Sequence, residues 1–149
     1  LIQKYNNQIA VTLHGKILNK TPLNNFFKDG IKKNYRCLKK VNRNAYVHIL
    51  GGGVSAFDTN HVQIDRNKFK YLYMDDIEVS IQLQQQRIPI IVRKHDSDYL
   101  SYLKPKNPTL YEKYMNNDIT HTDIINSTDW KIHKFNNWNY FKQKWIKSN

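Results

Sequence analysis

The chain has 149 residues, of which 40% are hydrophobic, and a formal net charge of +12 at pH 7 with a pI near 9.7. This length predicts one domain, or one domain with an extension, and the positive charge predicts an acidic partner, most commonly nucleic acid. No stretch approaches the ~18 consecutive apolar residues of a membrane span, and a single cysteine, Cys37, excludes an internal disulfide and a multi-cysteine zinc site.

The first predicted elements are two short strands. Apolar residues alternate along residues 8–14, with Ile9, Val11 and Leu13 on one face, which is the pattern of a half-buried strand. Gly15 and Lys16 are typical of a turn, and a second strand is expected to begin at Ile17. The two strands together predict a hairpin.

Two helices are expected next. Thr21 and Pro22 suit a helix start, and Leu23, Phe26 and Phe27 follow at helical spacing. A second helical run after Gly30 would bury Ile31, Tyr35, Leu38 and Val41. Between Lys28 and Arg43 the chain has seven basic residues and one acid. Phosphate contact and a merely solvated face are the two interpretations. The surface positions are Lys32, Lys33, Arg36, Lys39, Lys40 and Arg43.

The sharpest backbone feature is the run of three glycines, Gly51, Gly52 and Gly53, directly after a predicted strand at residues 46–50. Glycine permits φ > 0 and close approach of the backbone. We expect at least one of the three to have a positive φ or a neighbour too close for a Cβ atom. Their use is either a tight exit from a strand or the presentation of N–H groups to phosphate.

A resemblance to a known family appears at these segments. Residues 15–27 resemble the segment Gly-Lys-Ile-x-Val-Asn-Gly-x-Pro-Leu-x-x-Tyr-Phe of the S-nine family of small-subunit ribosomal proteins, one residue shorter. Residues 46–56 are similar to that family's strand Val-x-Val-x-Val-x-Gly-Gly-Gly-Leu-Ser-Ala/Gly. A basic stretch that is helical in the family separates the two motifs in both. The resemblance covers residues 8–56, and faintly 69–95.

The rest of the predicted domain is one helix and one strand. Residues 69–86 have helical spacing, and residues 88–95 match the family's last strand, with Pro89 at its start or on a sheet edge. We expect Arg93 and Lys94 to be basic contacts where the chain leaves the domain. The fold class is therefore α/β (α+β), a small mixed sheet with helices mainly on one face, plus a C-terminal extension.

The predicted extension, residues 96–149, is basic and aromatic and follows a domain of residues 1–95. It contains all three tryptophans, Trp130, Trp138 and Trp145, and no acid after Asp129. Aromatic rings among lysines favour docking into a groove of RNA and protein, with ordering on assembly, and packing back on the domain is the alternative. Its basic candidates are Lys131, Lys134, Lys142, Lys144 and Lys147.

The resemblance implies a structural constituent of the small ribosomal subunit that binds ribosomal RNA in the subunit head, beside neighbouring ribosomal proteins. In the family the extreme C-terminus reaches the peptidyl-site transfer RNA. The divergent sequence favours a mitochondrial ribosome in the matrix. The many Lys and Asn residues indicate an AT-rich genome. Since the chain begins at Leu1, a leader or a longer N-terminus is also expected. Lys16 and the three glycines join the lysines and arginines above as RNA-binding candidates, with no cofactor and no membrane partner expected.

Two other classes of protein are alternatives. One is a basic supernumerary subunit of another mitochondrial assembly without RNA contact. The other is a small RNA-processing enzyme that would use His95 with Asp96 and Asp98, or His121 with Asp123, as ligands or bases. An acidic group at residues 75–78 is a further cation candidate. None has the spacing of a known catalytic motif, so no enzyme activity is predicted.

Overall fold

The computed structural model describes residues 1–71, 73–101, 103 and 119–135. Within these ranges the chain forms two β-sheets and two α-helices, and the predicted α+β class is confirmed. None of the described helices is long and apolar enough to span a membrane. The strands and helices are β1 (Ala10–Thr12), β2 (Gly15–Leu18), β3 (Ile31–Tyr35), β4 (Ala45–Val47), β5 (Ile49–Leu50), β6 (Ser55–Phe57), α1 (Asp75–Gln85), β7 (Ile90–Val92) and α2 (Ile119–Asn126).

One sheet has four strands and the other has three. The four-stranded sheet has the order β4-β7-β1-β6, in which β1 and β7 are parallel and the other pairs are antiparallel. The three-stranded sheet has the order β3-β2-β5 and is antiparallel throughout. Because β7 lies between β4 and β1 and all its residues are buried, the expected last strand exists but is not an edge strand.

The chain passes between the two sheets four times: from β1 to β2, from β3 to β4, from β4 to β5, and from β5 to β6. The predicted hairpin is therefore wrong, because β1 and β2 lie in different sheets. Gly15 is needed at the first crossing, since a Cβ atom there would lie 2.7 Å from a methyl of Val92 and 2.9 Å from one of Val47. The glycine that suggested a turn instead allows the strands to cross closely.

The helix predicted from Thr21 is replaced by a turn. The Asp29 carboxylate accepts hydrogen bonds from the backbone N–H groups of Asn24 and Asn25, at 3.2 and 2.8 Å, and the Asn25 side chain accepts one from Lys28 N–H. Side chains that bond nearby backbone groups compete directly with helix formation. The second predicted helix is also wrong: it begins as β3, whose residues Lys32, Lys33 and Asn34 are exposed at the sheet edge.

Helix α1 is shorter than predicted, because the residues before it are held by a side chain. The buried Glu78 carboxylate accepts hydrogen bonds from the N–H groups of Lys70 and Tyr71, at 2.9 and 3.2 Å. The helix begins only at Asp75, after Tyr73, which has a left-handed φ of 65°. Three acids in the first turn stabilise the positive end of the helix dipole.

Two hydrophobic cores hold the sheets and helices together. The first includes Val47, Leu83 and Val92, and the second includes Phe26, Ile49 and Ile77, so α1 contributes to both. Helix α2 completes the second core with Ile124 and Ile125. Helix α2 of the predicted extension is thus packed onto the domain, while the division at residue 95 stays a prediction.

Candidate nucleic-acid interface

A backbone bridge joins the basic loop after β3 to the segment after β7. Val41 N–H donates to the His95 carbonyl at 2.9 Å, and His95 N–H donates to the Val41 carbonyl at 3.1 Å. Nearby, Lys94 N–H donates to the Asn44 side chain at 2.8 Å. We call residues 36–44 and 93–95 the bridged basic region, because the bridge places two basic segments that are distant in sequence side by side.

The basic side chains of this region are exposed. Only Lys40 has an ion pair among those that the structure gives for the region, with Asp96 at 3.5 Å, and the two side chains remain 65% and 78% exposed. A pair so open to water is weak. The region therefore presents nearly its full positive charge to solvent. Its basic members are Arg36, Lys39, Lys40, Arg43, Arg93 and Lys94.

Buried His95 fixes the bridged basic region to the sheet crossing. Its Nε2 atom lies 3.0 Å from the Leu13 carbonyl oxygen, and its Nδ1 atom lies 3.1 Å from the Asp96 carbonyl oxygen. With its Nε2 proton directed at Leu13, the buried ring ties this loop to the β1–β2 crossing, whereas the contact with Asp96 is local. His95 is thus a structural residue here, rather than a metal ligand of the kind considered from the sequence.

Two other predicted contacts, Lys32 and Lys33, lie on the exposed edge strand β3. Lysines on an edge strand discourage pairing with another strand. The Lys33 ammonium lies 4.8 Å from the centre of the Tyr35 ring, a cation–π distance. Both lysines precede Arg36 closely along the chain, so they extend the basic surface from the bridged basic region along the sheet edge.

Lys16 differs from the other basic candidates. Its ammonium forms an ion pair with the Asp76 carboxylate at 3.1 Å, and the two side chains are only 17% and 31% exposed. A phosphate at Lys16 would have to compete with this carboxylate. We therefore assign Lys16 a role in a polar cleft, described below, rather than in the exposed basic surface.

The three glycines have separate environments. None of the described glycines has a positive φ, so that form of the expectation is wrong. Gly51 has the expected neighbour that is too close for a Cβ atom, since a Cβ atom there would lie 2.6 Å from His14 Cβ. Its N–H also donates to the His14 carbonyl at 2.7 Å. A Cβ on Gly52 would have ordinary contacts with Asp76, and one on Gly53 would have open space. The nearby carboxylate of Asp76 disfavours phosphate at this turn.

The C-terminal candidates are only partly described. Lys131 and Lys134 are exposed, and Lys131 pairs with Asp129 at 2.6 Å. Half-buried Trp130 packs against the second core and donates its indole N–H to the Ile125 carbonyl at 2.9 Å, as the packing-back alternative expects for this ring. Docking of the extension on a partner stays a prediction. Lys142, Lys144, Lys147, Trp138 and Trp145 lie outside the described residues.

A cleft of about 520 Å³ lies between the three-stranded sheet and α1, and we call it the β2–α1 cleft. Side chains from β2, β3, the turn before β3, α1 and α2 line it. Lys16 and Asn34 come from directly paired positions of β2 and β3, which places them next to each other. Other lining residues are His14, Phe26, Phe27, Arg36, Tyr73, Asp76 and His121.

The electrostatics of the cleft favour a neutral His14. Burial, followed by the nearby Lys16 cation, lowers the pKa of His14. Asp76 and a hydrogen bond to the Asn34 side chain act in the opposite direction without reversing the shift. The Lys16 and Asp76 charges offset each other, so Arg36 leaves the cleft with a net positive charge.

The described residues contain no candidate metal site for the enzyme alternatives. No group of three His, Cys, Asp or Glu side chains within the described ranges could hold a metal ion. Glu78 bonds backbone N–H groups, and His121 stacks on Phe26 with 5.7 Å between ring centres. Cys37 is half-buried.

Sequence reasoning missed the β2–α1 cleft, although the pair of phenylalanines at positions 26 and 27 was visible. Its central ion pair joins residues 60 positions apart, which no local pattern connects.

Comparison with protein-family models and with curated protein sequences gives no match.

Proposed function

We propose that this protein is a structural, non-catalytic constituent of a small ribosomal subunit, of mitochondrial type, that binds ribosomal RNA. The observation that carries the RNA part is the bridged basic region. Six exposed basic side chains from two distant segments lie together there, and the ion pair on Lys40 is exposed and weak. The RNA backbone is the polyanion that such a surface matches, because each neutralised phosphate releases counterions.

The ribosomal part of the proposal rests on the resemblance of residues 15–27 and 46–56 to the S-nine family. In place of that family's basic helix this chain has the edge strand β3, on which Lys32 and Lys33 are exposed, and exposed Arg36 follows the strand directly. The matrix location, the neighbouring ribosomal proteins and a C-terminus near the peptidyl-site transfer RNA belong to the same proposal.

The RNA part is tested by the salt dependence of binding to ribosomal RNA. In the variant Lys39→Gln/Lys40→Gln/Arg43→Gln, the slope of log K against log salt should flatten by roughly 0.7–0.9 for each phosphate that is no longer neutralised. The matched control Lys4→Gln/Lys20→Gln/Lys68→Gln removes the same charge from exposed positions elsewhere. Equal slopes for the two variants would mean that the bridged basic region is only a solvated surface.

The ribosomal part is tested by sedimentation. The native protein should co-sediment with the small subunit of the mitochondrial ribosome and leave it when the RNA is digested. Sedimentation with a different, RNA-free mitochondrial assembly would support the supernumerary-subunit alternative instead.

A further inference from the structure

We propose that the β2–α1 cleft binds a single unpaired nucleotide, with the base inside and the phosphate at Arg36. The inference rests on the proposed function where the nucleotide belongs to an RNA chain, and a free nucleotide has the same chemistry. The volume of about 520 Å³ is within the range of small-ligand pockets, roughly 300–1,000 Å³.

The walls of the cleft are aromatic, as recognition of an unstacked base requires. Phe26 and Phe27 meet edge to face with 5.1 Å between ring centres, and the His121 ring lies 5.0 Å from Phe27. Tyr73 is the exposed aromatic residue of the cleft, with 58% of its surface accessible to solvent. Buried Phe26 and His121 and half-buried Phe27 make an aromatic wall, and Tyr73 supplies a ring that can cover a base.

Polar groups stand beside these rings. Lys16 donates to Asp76 at 3.1 Å, and Asn34 lies opposite Lys16 on the neighbouring strand. Together they present an ammonium, a carboxylate and an amide, which match the donors and acceptors along the edge of a base. Since burial lowers the pKa of His14, its ring is a neutral partner at pH 7.

The charge at the edge of the cleft identifies the second half of the ligand. Arg36 lines the cleft, is exposed, and belongs to the bridged basic region. The phosphate on the ribose of the bound nucleotide would meet the Arg36 guanidinium, which binds phosphate with two parallel hydrogen bonds. The RNA chain on either side would then follow the exposed lysines.

The backbone of Tyr73 is a further sign of a constrained position. Its φ of 65° is left-handed, which is uncommon for a bulky side chain and costs free energy. Such residues persist at binding sites because the surrounding structure holds them. Here the conformation leaves the Tyr73 ring at the cleft rather than in the core.

The test compares two RNA hairpins that differ by one bulged nucleotide, measured by fluorescence anisotropy at fixed salt. The wild-type protein should bind the bulged hairpin more tightly by about tenfold, a modest value for stacking of one base. Tyr73→Asn should abolish this difference, and Tyr73→Phe should keep it. Asparagine tolerates a left-handed φ, so the first variant removes the ring without new backbone strain.

The outcomes separate the two proposals. If wild type binds both hairpins equally and with strong salt dependence, the nucleotide site is overturned while RNA binding stands. If neither hairpin binds, the proposed function fails, and titration with AMP, GMP, CMP and UMP followed by NMR decides the cleft. Shifts at Tyr73 and His14 in the wild type, with the His14 shift lost in Tyr73→Asn, would support a free-nucleotide site. Unchanged wild-type spectra, or a His14 shift that persists in the variant, would overturn it.

Discussion

Two glycines, Gly15 and Gly51, are required because of their neighbours and not because of their backbone angles. Both lie where the chain passes between the sheets, and a Cβ atom on either would come within 2.7 Å of another residue. At Gly51 the obstacle is Cβ of His14, which is fixed to the backbone and cannot rotate away. Substitution of either glycine should therefore be destabilising, although neither has a positive φ.

Gly51→Ala should lower the free energy of unfolding by about 1–3 kcal/mol, since the added methyl would force the backbone at His14 to move. Gly53→Ala is the matched control two residues away. It has open space and no positive φ, so it should be neutral or slightly stabilising. Chemical denaturation measures both, and equal destabilisation in the two variants would contradict the close-contact explanation.

His48 gives a prediction for pH dependence. Its Nδ1 atom accepts a hydrogen bond from Leu18 N–H at 2.9 Å, and burial lowers the pKa of His48 below its ordinary value of 6.5. The unfolded chain therefore binds the proton more readily. The stability from this site is fully present above pH 6.5 and is lost as the pH falls from 6.5 towards the lowered value.

His48→Asn should reduce this loss of stability, because the asparagine oxygen can accept the same hydrogen bond without titrating. Denaturation between pH 5 and 8 gives the slope of stability against pH. His14 and His133 have pKa values shifted in the same direction, so part of the slope should remain in the variant. An unchanged slope would show that His48 does not couple to folding.

At the scale of elements, α2 holds the turn that replaces the predicted helix. The Asn126 side chain accepts from Leu23 N–H at 2.7 Å and donates to the Leu23 carbonyl at 2.9 Å, and the Thr122 hydroxyl accepts from Phe26 N–H at 2.9 Å. These bonds satisfy backbone groups that a helix would have paired internally. The turn and α2 therefore stabilise each other.

Ile125→Ala should lower the free energy of unfolding by about 2–5 kcal/mol, because Ile125 is fully buried in the second core. Asp123→Ala, on the exposed side of the same helix, should change stability by less than about 0.5 kcal/mol. Urea denaturation compares the two. A small effect of Ile125→Ala would mean that α2 contributes little to the domain.

The elements that could be predicted were those with a strong local pattern. Alternation identified the strand around Val11, and the match of residues 88–95 to the family's last strand identified β7. Residues 21–35 could not be assigned correctly, because their structure depends on Asn126 and Thr122 and on pairing with β2, all far away in sequence. The exposed lysines were found from composition, but their gathering by the Val41–His95 bridge was not.

For the whole molecule, the four passages between sheets make the fold cooperative. Each sheet contains strands from separate parts of the chain, and α1 contributes Ile77 to one core and Leu83 to the other. Neither sheet can form completely without the other. We therefore expect the described part of the chain to unfold as one unit.

The bridge between Val41 and His95 has a consequence for assembly. The basic loop is translated well before β7, yet the six charges come together only when β7 is in place and His95 has closed the bridge. An RNA that contacts both segments would bind a finished chain more tightly than an unfinished one, and would stabilise that finished state in return. Under the proposed function, RNA binding would then favour correctly folded copies over misfolded ones.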